Sequence, residues 1–302
     1  MIYRQLGKTD LQVSSIGLGC VTFGREIDEA TSFAILDRAV ERGINLFDTA
    51  EAYGAGSSEN VLGKWIAARG NGDKIIVATK VNGTLTQERV LSSAEASLRR
   101  LQTDHVDLFQ LHRWDPETPL EEMLEALDTV VQQGKARYIG CSNYAAWQLC
   151  KSLWIQDTKG WARMESVQPI YNLVNREIEQ ELFPLCADQQ VGVVSYSPLG
   201  AGFLTGKYRE EGPIPKGTRF DVIPGHADIY FHKEKFRVME ALRDKAEAMG
   251  TSMIQLALAW ALSQPAITTV LVGARTTGHV DQAFEAEAMG MSPELREELS
   301  NM

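Results

Sequence analysis

Four residues in the amino-terminal half of the chain have side chains that together could deliver a proton: Asp48, Tyr53, Lys80 and His112. Asp48 ends the apolar pair Leu46 and Phe47, and Tyr53 follows five positions later. Lys80 ends the run Ile75, Ile76, Val77, Ala78, Thr79, and His112 follows Leu108, Phe109, Gln110 and Leu111. An ordinary phenol ionises near pH ~10, and a neighbouring ammonium favours the phenolate. Lys80 is therefore expected to bring the Tyr53 pKa down, with Asp48 keeping Lys80 charged. His112 could donate to a carbonyl oxygen. This set suits proton delivery to an oxygen that gains charge, as when hydride is added to a C=O group. Taken alone, a strand-end Asp often caps a helix, a loop Tyr often packs and a His can be a satisfied core residue, whereas a lysine ending so apolar a run is hard to explain as a solvated face.

Whether the four meet depends on the elements that carry them. Marking the residue that closes each apolar, strand-like segment gives Gly19, Asp48, Lys80, His112, Ser142, Gln168, Ser197 and Gly273. Successive marks lie 26 to 32 residues apart until Ser197, and then 76 to Gly273. Helical periodicity separates them, over 28–42, 58–69, 86–101, 120–133, 145–155, 178–189, 235–249 with 252–263, and 279–288. Strands alternating with helices eight times predict an α/β fold, a single (β/α)8 TIM barrel spanning 1–302 as one domain. An open doubly wound sheet is the competing architecture, but its G-x-G-x-x-G fingerprint fails after the first strand, where Gly17 and Gly19 are followed by Thr22. Gly7, Lys8, Thr9 and Asp10 form a turn between two short extended pieces, predicting an N-terminal β-hairpin. Residues 197–234 are rich in Gly and Pro and form a long loop after the seventh strand, a length that usually accompanies function.

A barrel gathers its strand ends on one face. There, Ser142 and Asn143 with Gln168 could grip a carboxamide such as that of nicotinamide, and Tyr196 offers a flat face for stacking. The glycines after Ser197, with Lys207 beyond, suit a pyrophosphate, and Gly273 with Arg275 before a helix suits a 2′-phosphate. Phe23 and Trp114, with Phe231, are candidate walls for an apolar or ring-bearing substrate.

Composition narrows the partners. With 44% hydrophobic and 23% charged residues the chain reads as soluble and globular. A formal net charge of −10 opposes binding to nucleic acid or an anionic membrane surface. No leader-like or membrane-spanning apolar run is present, so the expected location is the cytoplasm. Cys20, Cys141, Cys150 and Cys186 are widely spaced without a C-x-x-C pair, which points to free thiols and no metal site.

Over essentially its full length the sequence resembles the aldo-keto reductases, through Gly43 to Ala50 with Tyr53, Ala78 to Lys80, Asp107 to His112, Gly140 to Asn143, and Ser197 to Gly200. It is closer to the bacterial reductases and the potassium-channel β-subunit branch than to the aldose reductases, by Ser197 to Gly202 and the long loop that follows. The resemblance implies a catalytic tetrad of Asp48, Tyr53, Lys80 and His112, with Tyr53 as general acid and NADPH passing hydride directly to an aldehyde or ketone. It places cofactor contacts on Ser142, Asn143, Gln168, Tyr196, Ser197, Leu199, Gly202, Lys207, Arg219, Gly273, Arg275, His279 and Gln282. The chain departs from the family pattern at His279, often Gln or Arg, and at Ala283, usually Asn. Two other functions compete: a cofactor-loaded regulatory subunit of the channel β-subunit type with little turnover, and a Schiff-base lyase using Lys80. The oligomeric state is open.

Overall fold

The computed structural model describes residues 1–302. Two short strands, β1 (Tyr3–Gln5) and β2 (Gln12–Ser14), pair antiparallel and precede eight parallel strands. These are β3 (Ile16–Gly19), β4 (Leu46–Asp48), β5 (Ile76–Val81), β6 (Val106–Leu111), β7 (Ala136–Ser142), β8 (Met164–Gln168), β9 (Gly192–Ser195) and β10 (Thr269–Gly273). They close in sequence order, with β10 pairing β3. The fold is thus the (β/α)8 barrel with an N-terminal hairpin that the repeat predicts.

The period of two along each strand divides the core. Phe47, Val77, Phe109, Ile139, Val167 and Val270 belong to a cluster of 69 buried residues shared with the surrounding helices. Leu46, Ile76, Ala78, Leu108, Val194 and Leu271 point the other way and, with Leu6, Leu11 and Val13 of the hairpin, make a separate cluster of nine inside the barrel. The hairpin is therefore a plug. Gly192 admits it, because a Cβ there would lie 2.5 Å from Leu6 Cδ1 and 3.0 Å from the Gly7 nitrogen. Asn45, at the foot of β4, fixes the plug by accepting from Ser14 N at 2.8 Å and donating to the Gln12 carbonyl at 2.7 Å.

Helix boundaries follow local signals. Asp28 Oδ1 accepts from Thr31 N at 2.9 Å to start the helix Glu29–Glu41, and Gly43 just beyond its end has φ +94°. The sixth barrel strand, Met164–Gln168, ends at the expected Gln168, where the following Pro169 has no N–H to continue a ladder. The helix expected over 178–189 divides into a 3-10 turn, Glu177–Glu179, and a helix, Leu182–Gln189.

The 197–234 segment is not structureless. It holds short helical turns at Gly200–Thr205, Arg219–Val222, Pro224–His226 and Ala227–Tyr230, folded around Phe203, Tyr208, Phe220, Tyr230 and Phe231. Ring centroids in this cluster lie 4.7 to 6.0 Å apart. Phe231 is spent on that packing, which corrects its reading as a substrate wall. All four cysteines are free, and only Cys150 is exposed. No helix is long and apolar enough to cross a membrane.

Candidate active site

Continuing the inward alternation past the apolar layer replaces hydrocarbon with polar groups. Leu46 is followed by Asp48, Ala78 by Lys80, Leu108 by Gln110 and Ser166 by Gln168, all fully or almost fully buried. Lys80 Nζ donates to Asp48 Oδ1 at 2.5 Å and to the Thr49 carbonyl at 2.7 Å, and it stands 3.4 Å from the Tyr53 hydroxyl. The other Asp48 oxygen, Oδ2, accepts from Gln168 Nε2 at 2.9 Å and from Gln110 Nε2 at 3.4 Å. The half-buried Tyr53 ring meets His112 edge-on, with centroids 5.7 Å apart.

The loop bearing Tyr53 is pinned from below. Glu51 N donates to the Lys80 carbonyl at 3.2 Å, while the Glu51 carboxylate accepts from Asn82 N at 2.7 Å, from Ser93 Oγ at 2.6 Å and from Arg89. Behind it, the fully buried Glu59 accepts from Thr79 Oγ1 and Arg100 Nε, each at 2.6 Å.

The titration directions differ in part from the expectation for Tyr53. Burial pushes its phenol above the ordinary value; Lys80 pulls it back, but Asp48 pushes it further up, and the net direction is up. Desolvation outweighs the ammonium, so the resting phenol is a fully protonated donor at neutral pH. For Lys80, burial would lower the pKa, but Asp48 and then Tyr53 overturn this and raise it. His112 is lowered to about 3 by burial and by the Lys80 and Arg113 cations, so its imidazole is neutral, and its Nδ1 is buried without a partner.

These groups open onto a cleft of about 890 Å³. Asp48, Tyr53 and His112 line it, with Lys80 one layer behind them. So do Ser142, Asn143, Gln168, Tyr196, Ser197, Leu199, Gly202, Lys207, Arg219, Gly273, Arg275, His279 and Gln282. Asn143 is held by neighbouring strand ends: Nδ2 donates to the His112 carbonyl at 3.0 Å, and Oδ1 accepts from the Tyr196 hydroxyl at 2.8 Å. Asn143, Ser197 and Ala201 all take positive φ (58°, 55° and 55°), so the backbone carries strain where it faces the cleft.

Does the cleft fit a dinucleotide? Gly202 has φ +94°, and a Cβ there would lie 3.2 Å from Lys207 Nζ, so glycine keeps an open cradle beside that ammonium. Lys207 is lowered by burial and then by Arg275, with no carboxylate acting on it. Two adjacent cations repelling each other inside a chain of net charge −10 are a site for an anion. The lining therefore fits a phosphate-bearing ligand with a flat ring at the Tyr196 end.

Two readings change. Phe23 has no exposed surface and belongs to the outer core, so it does not reach a substrate. Trp114 is outside the cleft lining; it packs edge-on against Tyr144 at 5.3 Å and Trp147 at 5.5 Å. Ala283 is fully buried on the inner face of the helix Thr277–Met289, whereas His279 and Gln282 face the cleft, so its small side chain answers to packing. Glu26, Arg113 and His226 line the cleft as well, and Arg219 Nη1 pairs with Glu26 Oε1 at 2.9 Å. Gln110 went unassigned. Its signal was parity, two positions before His112 and two after Leu108 on the inward side of β6.

A sequence model described as the Aldo/keto reductase family matches residues 15–300. The uncharacterised oxidoreductase YrpG of Bacillus subtilis (strain 168) is 35% identical, covering 100% of this chain and 96% of its own length. The aldo-keto reductase YhdN of the same organism is 34% identical, covering 100% and 93%. A probable voltage-gated potassium channel subunit beta of Arabidopsis thaliana is 32% identical, covering 95% and 91%. With a closed eight-stranded barrel and a match over nearly its whole length, the chain belongs to the aldo/keto reductase family of oxidoreductases.

Proposed function

We propose that this protein reduces an aldehyde or ketone to an alcohol with NADPH, and that Tyr53 delivers the proton. The observation that carries the reading is the position of the Tyr53 hydroxyl, 3.4 Å from a buried ammonium that is itself fixed 2.5 Å from Asp48. A reduced nicotinamide dinucleotide, when bound in the cleft, supplies hydride to the carbonyl carbon. Tyr53 gives its proton to the carbonyl oxygen as that oxygen gains charge, which completes the alcohol and leaves a phenolate. Lys80 stabilises that phenolate, and Asp48 keeps Lys80 charged through the cycle. Neutral His112 offers an N–H to orient the carbonyl without competing as an acid. Arg275, on the cleft just before the helix Thr277–Met289, supports NADPH over NADH, since a guanidinium there suits a 2′-phosphate.

A panel of aldehydes and ketones monitored through NADPH absorbance tests this. Turnover of at least one class is expected; binding of NADPH without oxidation by any of them would contradict it. That outcome would favour a second reading, a cofactor-loaded regulatory subunit, which the likeness to the plant protein named as a channel subunit supports.

A further inference from the structure

Gln110 is more polar than packing at its position requires. It is fully buried inside the barrel, opposite Lys80 on β5 and Gly140 on β7, and it shares its face of β6 with Leu108. Its Oε1 has no hydrogen-bond partner. A buried amide with an unmet acceptor is destabilising, and a leucine or methionine there would avoid that penalty. The only hydrogen bond its amide makes is the long 3.4 Å approach of Nε2 to Asp48 Oδ2, an oxygen already served at 2.9 Å by Gln168.

The two amides thus stand on one carboxylate oxygen, one close and one in reserve. Under the function proposed above, on which this inference rests, Gln168 faces a ligand that carries a carboxamide, yet in this structure one of the two N–H groups of its Nε2 serves Asp48 Oδ2. Turning Gln168 toward the cleft would leave Oδ2 of a fully buried carboxylate short of a donor, beside the ammonium that tunes Tyr53. We propose that Gln110 is a positioning residue that takes over Asp48 Oδ2 when Gln168 turns to the nicotinamide, so that the Asp48–Lys80–Tyr53 set keeps its geometry as cofactor binds. Gln110 touches neither substrate nor cofactor, and it acts through Asp48.

The test is a double-mutant cycle read by cofactor affinity. Gln110→Met keeps the length of the side chain and removes the amide; Gln110→Leu, matching Leu108, is the second variant. NADPH binding is measured by quenching of tryptophan fluorescence, and thermal unfolding is measured without cofactor. Expected are an unfolding temperature equal to or above the parent's and an affinity about three- to tenfold weaker. In a Gln168→Leu background the same substitution should change affinity by less than about twofold, because the exchange no longer occurs. Unchanged affinity in the parent background, or an equal loss in both backgrounds, overturns the exchange while leaving the reductase reading intact. A parent protein that binds neither NADPH nor NADH overturns both.

Discussion

The two ends of the barrel are built from the same strands, yet they do opposite things with the inward-facing positions. At the amino-terminal end Leu46, Ile76, Leu108, Val194 and Leu271 close on the hairpin plug of Leu6, Leu11 and Val13. One layer further, Asp48, Lys80, Gln110 and Gln168 occupy the inward positions and are as deeply buried. The apolar end gains stability from burial without needing precise partners. The polar end is stable only while every charge has its partner, since desolvation penalises each group left alone. The apolar end contributes stability alone, whereas the polar end ties stability to the geometry of its partners. Substitutions should therefore separate the two.

The largest effect is expected at the polar end. Lys80→Met strands the buried Asp48 carboxylate and should lower stability by about 3–5 kcal/mol while also abolishing turnover. Denaturant unfolding checks this, and adding Asp48→Leu should restore much of the stability but none of the activity. Next comes the plug end: Leu108→Ala should lower stability by about 2–5 kcal/mol, with the activity of the folded fraction unchanged. A loss of turnover in that variant would show that the two ends are not independent.

A smaller effect is expected at the rim. Arg275→Ala should weaken NADPH binding by about tenfold or more and leave NADH binding nearly unaltered, as titrations with the two cofactors would show. The smallest is a null result in pH. Because His112 is held near 3, reduction should show no inflection between pH 5 and 8 from that group. Because the Tyr53 pKa is raised, the proton needed for reduction is present below that pKa and lost only as pH climbs through it, so the alkaline limb should lie above about 10. An inflection near 6.5 would mean that His112 titrates in the working enzyme.

Much of this arrangement was legible in the sequence, because strand repeats are rigid and parity is simple. Spacing alone placed Asp48, Lys80 and Gln168 at one end of one barrel, and Gly7 to Asp10 signalled the hairpin. What sequence left hidden depends on loops and on the balance of opposing forces. Phe23 and Phe231 lie on loops whose packing is settled by distant aromatic and core partners, so type alone misdirected them toward the substrate. The direction of the Tyr53 shift depends on how much water the fold removes, which no spacing encodes. Gln110 was readable by parity but ordinary by type, and only the shared oxygen of Asp48 gave it a role.

Under the proposed function, the polar end serves to keep Tyr53 loaded as the proton donor. Tyr53→Phe keeps the ring against His112 and removes only the hydroxyl, so reduction at saturating carbonyl substrate, measured alongside NADPH affinity, tests it most directly. Affinity should be unchanged and turnover should fall by at least about 100-fold. Turnover within about threefold of the parent, with NADPH bound equally well, would contradict it.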